Sequence, residues 1–131
     1  MRQSLALIAL VVPDYDAALD FYVGMLGFTL ITDEDQGTKR WVTVRPPGDS
    51  GAALLLARAV TDAQRASIGN QTGGRVGFFL ETDDFHRDHV AMTAAGVTFD
   101  EAPRTEPYGT VAVFRDPFGN RWDLLQRSPA D

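Results

Sequence analysis

Leu7-Ile8-Ala9-Leu10-Val11-Val12-Pro13-Asp14 has a counterpart later in the same chain, Gly77-Phe78-Phe79-Leu80-Glu81-Thr82-Asp83-Asp84. Each stretch leads into an amphipathic helix that stops at a glycine followed by a short apolar run, Gly27-Phe28-Thr29-Leu30 and Gly96-Val97-Thr98-Phe99. The offset persists further on. Arg45-Pro46-Pro47-Gly48-Asp49 and the apolar Ala52 to Leu56 lie over Arg115-Asp116-Pro117-Phe118-Gly119-Asn120 and Trp122 to Gln126. The chain is therefore an internal repeat, and positions in its two halves can be compared directly.

Working outward, Leu5 to Val12 is an apolar run of strand length, closed by Pro13. Asp14 or Asp16 caps the next helix, where Ala18, Phe21, Tyr22 and Met25 recur at helical spacing. Phe28 to Thr32, Lys39 to Arg45 and Ala52 to Ala57 read as strands, with Asp33 to Thr38 as a hairpin turn and Asp33-Glu34-Asp35 as its solvated tip. Thr61 to Ile68 reads as a short helix capped by Thr61 or Asp62, and Gly69 to Gly74 as the link between the repeats. The second half repeats the order: strand Arg75 to Glu81, helix Asp84 to Ala95, then strands Val97 to Asp100, Thr110 to Arg115 and Arg121 to Gln126. A three- or four-stranded sheet cannot bury both of its faces alone, so the two halves are expected to pack about a pseudo-twofold axis.

The length of 131 residues fits one domain, and 44% hydrophobic residues suffice for a core. A net charge of −6 argues against nucleic acid or an anionic membrane as partner, and leaves room for a cationic ligand. There is no cysteine, so disulfides, thiolate catalysis and Cys-bound zinc are excluded. The first apolar run is too short to span a membrane, so a cytoplasmic protein is expected.

Val12-Pro13-Asp14, then Ala18, Phe21-Tyr22 and Leu26-Gly27-Phe28, resemble the first module of the vicinal oxygen chelate superfamily, which includes glyoxalase I, extradiol dioxygenases and bleomycin-resistance proteins. Asp83-Asp84, Gly96-Val97 and Phe114-Arg115-Asp116-Pro117-Phe118-Gly119-Asn120 resemble the second module, and the Asp-Pro-x-Gly-Asn turn is the most specific signal. The resemblance covers essentially the whole chain. It implies an α+β fold of two tandem βαβββ modules forming a curled eight-stranded mixed sheet around one small-molecule site. Module 1 spans about 1–60, a connecting helix and linker 61–74, and module 2 about 75–131.

In the superfamily's metal-dependent members, ligands project from the first and last strand of each module. By resemblance these positions map onto Leu7, Ala53, Gly77 and Asp123. The family pattern calls for His, Gln or Glu, and three of the four residues here carry no donor atom. A divalent metal needs about three or four protein ligands, so no metal and no cofactor is expected, unless a dimer completes the site with residues from elsewhere.

The expected ligand-binding residues are Leu7, Ala53, Gly77, Phe79, Glu81, Tyr108, Phe114, Arg121 and Asp123. Strand alternation puts Phe79 and Gly77 on one face, and Asp123 with Arg121 and Leu125. Gly77 marks close approach by a ligand or another chain segment. Trp41 and Phe118 are further aromatics at the cup or its rim. His86 and His89 lie on an outward helix and read as solvated and edge-of-core residues. The leading expectation is a metal-independent protein that binds a small apolar or amphipathic molecule, with Asp123 and Glu81 fixing a positive group. The alternative is a glyoxalase-type lyase or isomerase with Asp123 as general base. A homodimer is expected from the family's small members.

Overall fold

The computed structural model describes residues 1–48 and 50–129. Asp49 of the expected turn, and Ala130 and Asp131 at the end of the second module, lie outside the described residues. The chain divides into two compact units, Met1–Ile68 and the segment from Gly69 onward.

The first unit runs β1 (Leu7–Val12), α1 (Tyr15–Leu19), β2 (Thr29–Asp35), β3 (Arg40–Arg45), β4 (Ala53–Arg58) and α2 (Asp62–Ser67). Its sheet has the order β1-β4-β3-β2, with β1 parallel to β4 and the other pairs antiparallel. Asp14, not Asp16, caps α1, its carboxylate accepting the Ala17 N–H at 2.8 Å. After Leu19 the helix widens into a π-helical stretch over Asp20–Met25. Phe21 and Tyr22, consecutive in sequence, are both buried there, with their rings edge to face at 4.9 Å.

The second unit runs β5 (Phe78–Glu81), α3 (Phe85–Ala94), β6 (Thr98–Phe99), β7 (Arg104–Glu106), β8 (Gly109–Arg115) and β9 (Arg121–Arg127). Its order is β5-β9-β8-β6, with β7 also on β8, and β5 parallel to β9. Asp84 caps α3 through the Arg87 N–H at 3.0 Å. The two caps, and the glycines Gly27 (φ 78°) and Gly96 (φ 98°) that follow the helices, occupy equivalent places in the repeat.

The expected eight strands are present in two sheets of four and five. The extra strand is β7, short and polar between Pro103 and Pro107, which carries no apolar alternation to betray it. It pairs with β8 through a hairpin in which Glu106 faces Gly109. The acidic run Asp33-Glu34-Asp35 is strand, not hairpin tip, because Asp33 is held against Arg40 across the β2–β3 ladder.

Alternation separates two faces in each sheet. Leu10, Val12, Leu54, Leu56, Val42 and Val44 are buried on the helix side of the first. The register places Leu7 beside Ala53, Ala9 beside Leu55 and Val11 beside Ala57 on the opposite face. In the second unit Trp122, Leu124, Ala112 and Phe114 fill the helix side. Phe79 and Asp123, directly paired across β5 and β9, share the other. Among the described residues, no helix is long and apolar enough to cross a membrane.

Candidate functional site

The site is built on the first unit's open face. Ala9 and Val11 of β1 lie beside Leu55 and Ala57 of β4, giving a low apolar surface of small side chains. Trp41 of β3 adds an aromatic wall. Gln64 of α2, and Val60 just before its cap, bound the cavity. They are fixed by a capping box: Thr61 Oγ1 accepts the Gln64 N–H at 3.1 Å, while Gln64 Oε1 accepts from Val60 at 2.8 Å and Thr61 at 3.3 Å. Thr61, not Asp62, is therefore the cap.

Tyr15 and Arg40 also line the cavity. The Arg40 guanidinium donates twice to Asp33 at 2.7 and 3.1 Å and once to Asp16 at 2.9 Å, and lies 5.2 Å from the centre of the Tyr15 ring. The Arg40 bond holds the Asp33 carboxyl below its ordinary range. This clamp ties β3 to both β2 and α1. The cavity volume is ≈ 370 Å³, within the size of small-molecule sites.

Of the residues expected at the site, Leu7 and Ala53 lie on the same open face, 37% and 8% exposed. The others belong to the second unit. Phe79 is 64% exposed beside Asp123. Glu81 faces Arg127, which donates to it at 2.8 Å, so its charge is already matched. Tyr108 sits at the exposed β7–β8 turn, its carbonyl accepting from Ser128 N–H and its side chain bonded to Arg104.

Two expected site residues are placed otherwise. Phe114 is paired with Trp122, so the register puts it on the helix side, where it stacks on Trp122 at 5.7 Å and is fully buried. It is a core residue. Gly77 does mark a close approach, but by the chain itself: a Cβ there would lie 2.3 Å from Thr72 Cγ2 of the preceding loop. Thr72 thus covers the place where a ligand was expected. Arg121, opposite it, donates to Gly74 O at 3.1 Å in the same loop.

Asp123 has one carboxylate oxygen, Oδ1, that is buried and without a hydrogen-bond partner, and Arg121 Nε is in the same condition. Burial pushes the Asp123 carboxyl above its ordinary value; Arg104 pulls it down, Glu101 raises it and Arg121 lowers it. The folded protein therefore holds this proton more tightly than the unfolded chain. The stability cost of the carboxylate is absent below the unfolded pKa, grows through the window between the two values, and is complete above the folded one. Asp123→Asn removes the charge that burial disfavours, so it is expected to stabilise the protein at neutral pH and to gain nothing at about pH 3. Thermal melts at the two pH values check this; an equal gain at both would place the cause elsewhere.

The donor set does not suit a resident metal. Leu7, Ala53 and Gly77 bring no ligand atom to Asp123's aid, and no group of three or more His, Asp or Glu side chains among the described residues is placed to hold an ion. His89 lies between Phe85 and Phe99 at ring distances of 5.5 and 4.4 Å, and His86 is exposed on the same helix.

The family model for the Glyoxalase/Bleomycin resistance protein/Dioxygenase superfamily matches residues 4–124. The chain belongs to this superfamily. Among its relatives is an uncharacterized protein of Shewanella frigidimarina (strain NCIMB 400), 57% identical, the match covering 96% of this chain and 95% of that one. The crystal structure of UcmS2 is similar with a TM-score of 0.83 at 30% identity, covering 95% of this chain and 98% of the other. That of TnmS3, an antibiotic binding protein from Streptomyces sp. CB03234, gives 0.78 at 32% identity, covering 97% and 98%.

The superfamily repeat explains which site residues were hidden. Ala9, Val11, Leu55 and Ala57 follow from Leu7 and Ala53 by simple alternation, a signal present in the sequence. The walls from α2 and Tyr15 carry no such signal, because only tertiary packing brings them to the sheet.

Proposed function

We propose that the protein binds a small, largely apolar or amphipathic molecule in the cavity of the first unit, without a metal ion and without chemical turnover. The observation that carries this is the ≈ 370 Å³ cavity faced by Ala9, Val11, Leu55, Ala57 and Trp41. Burial of a flat apolar ligand against these side chains supplies the affinity, and a few polar groups at the margin orient it. The similarity to TnmS3, described as an antibiotic binding protein, supports the same reading.

The test is a thermal-shift screen of chelator-treated protein against planar aromatic compounds in one arm and divalent metals in the other. A ligand present at a hundred times its Kd stabilises the folded state by about 2.7 kcal/mol. Aromatic compounds are expected to raise the midpoint and metals to leave it unchanged. Trp41→Ala is expected to weaken the best ligand about tenfold or more, since large aromatic side chains dominate such contacts. A shift with metals alone, or affinity indifferent to Trp41, would remove the proposal.

A further inference from the structure

We infer that the ligand of this cavity is an aromatic acid, whose carboxylate is held by Lys39 and Arg58. The inference rests on the binding function proposed above and names the chemistry of the ligand's polar end. Both side chains line the apolar cavity and also an adjoining polar hollow of ≈ 290 Å³. Both residues are exposed.

Among the described residues Lys39 and Arg58 share the lack of an ion pair with Arg2, Arg45 and Arg75, but of these five only Lys39 and Arg58 line the cavity. Acidic residues outnumber basic ones by 18 to 12, so cations have carboxylates in supply. Arg40, Arg65, Arg87, Arg104, Arg115 and Arg127 all sit against them at 3.2 Å or less. Lys39 is the chain's single lysine. Neither it nor Arg58 has a side-chain hydrogen bond or ion pair among the described residues.

The other charges around the two hollows have local work. Arg40 is engaged by Asp33 and Asp16. Asp14 accepts the Ala17 N–H as helix cap, and Asp35 accepts the Gly37 N–H at 2.8 Å. The donors left open beside an apolar surface are thus the ammonium of Lys39 and the guanidinium fork of Arg58, which matches a carboxylate in shape and charge. The overall charge of −6 does not oppose this. Exposed charges beyond about 8 Å are screened at physiological salt, whereas a bound carboxylate meets these two cations at contact.

The experiment compares three naphthalenes that differ in one group: 2-naphthoate, 2-naphthalenemethanol and 2-naphthylmethylammonium. Each is titrated calorimetrically into the full chain and into the double variant Lys39→Gln/Arg58→Gln, whose exposed positions leave the fold alone. The naphthoate is expected to bind about tenfold tighter than the alcohol, the scale of a charge-assisted hydrogen bond. The double variant should erase that margin, read as the ratio of naphthoate to alcohol affinity within each protein. Equal binding of alcohol and naphthoate, tightest binding of the ammonium, or a margin that survives in the double variant overturns the acid assignment and leaves the binding function standing. Failure of all three compounds to bind at millimolar concentration overturns both.

Discussion

Asp116→Ala is expected to destabilise the second unit by about 3 kcal/mol, the largest loss foreseen for a single polar group here. Asp116 is buried, and its carboxylate organises the turn between β8 and β9. Oδ1 accepts the Phe118 N–H at 3.0 Å and the Asn120 N–H at 2.8 Å, and Oδ2 accepts from Asn120 Nδ2 at 2.6 Å. Alanine leaves these three donors without that acceptor in a site from which water is largely excluded, and each lost bond to a charged group is worth about 1.5–3 kcal/mol before relaxation. Asp116→Asn keeps one acceptor oxygen and should lose about half as much. Denaturant unfolding with an unchanged m-value checks the magnitude. A loss within about 0.5 kcal/mol, the range of ordinary surface changes, would show that the backbone holds the turn unaided. The turn also starts β9, which carries Arg121 and Asp123, so the same variant should disturb the environment of both.

Gly69→Ala is the second large effect, expected to cost about 3 kcal/mol or more. Gly69 has φ +71°, and a Cβ there would stand 1.9 Å from Phe118 O and 2.8 Å from Phe118 C. Those atoms are backbone, so no side-chain rotation relieves the overlap, and the left-handed conformation adds about 1–2 kcal/mol for any L residue. The clash falls on the turn that Asp116 braces. Gly69→Ala and Asp116→Ala should therefore be less than additive in the double variant, because the first already displaces what the second releases. Strict additivity in unfolding free energy would mean that the two act on separate structures.

The fold was legible because its determinants are local and occur twice. Asp14 and Asp84 cap their helices, and Gly27 and Gly96 follow them, as the repeated residues indicate. β7 was not legible, since three polar residues between prolines carry no period. Of the candidate site, the sequence indicates a face but not the lining. Leu7 and Ala53 identify the open face of the first sheet, and the same alternation extends to Ala9, Val11, Leu55 and Ala57. Phe114 was misplaced because the face it takes depends on the β8–β9 register, which sets it opposite Trp122 on the helix side. Thr72 over Gly77, and the wall from Val60 and Gln64, depend on how loops and α2 fold back, which strand periodicity does not encode.

The floor of the cavity and the packed interior draw on alternate residues of the same strand, Ala9 and Val11 against Leu10 and Val12. Selection can thus enlarge a floor residue from alanine to valine, or shave Leu55 back, and change which molecules fit while the hydrophobic contacts that secure folding stay as they are. On the binding function proposed above, a sheet divided in this way lets ligand range drift along a lineage at little risk to the scaffold. Close relatives of this chain should then differ most in their partners where they differ least in their cores.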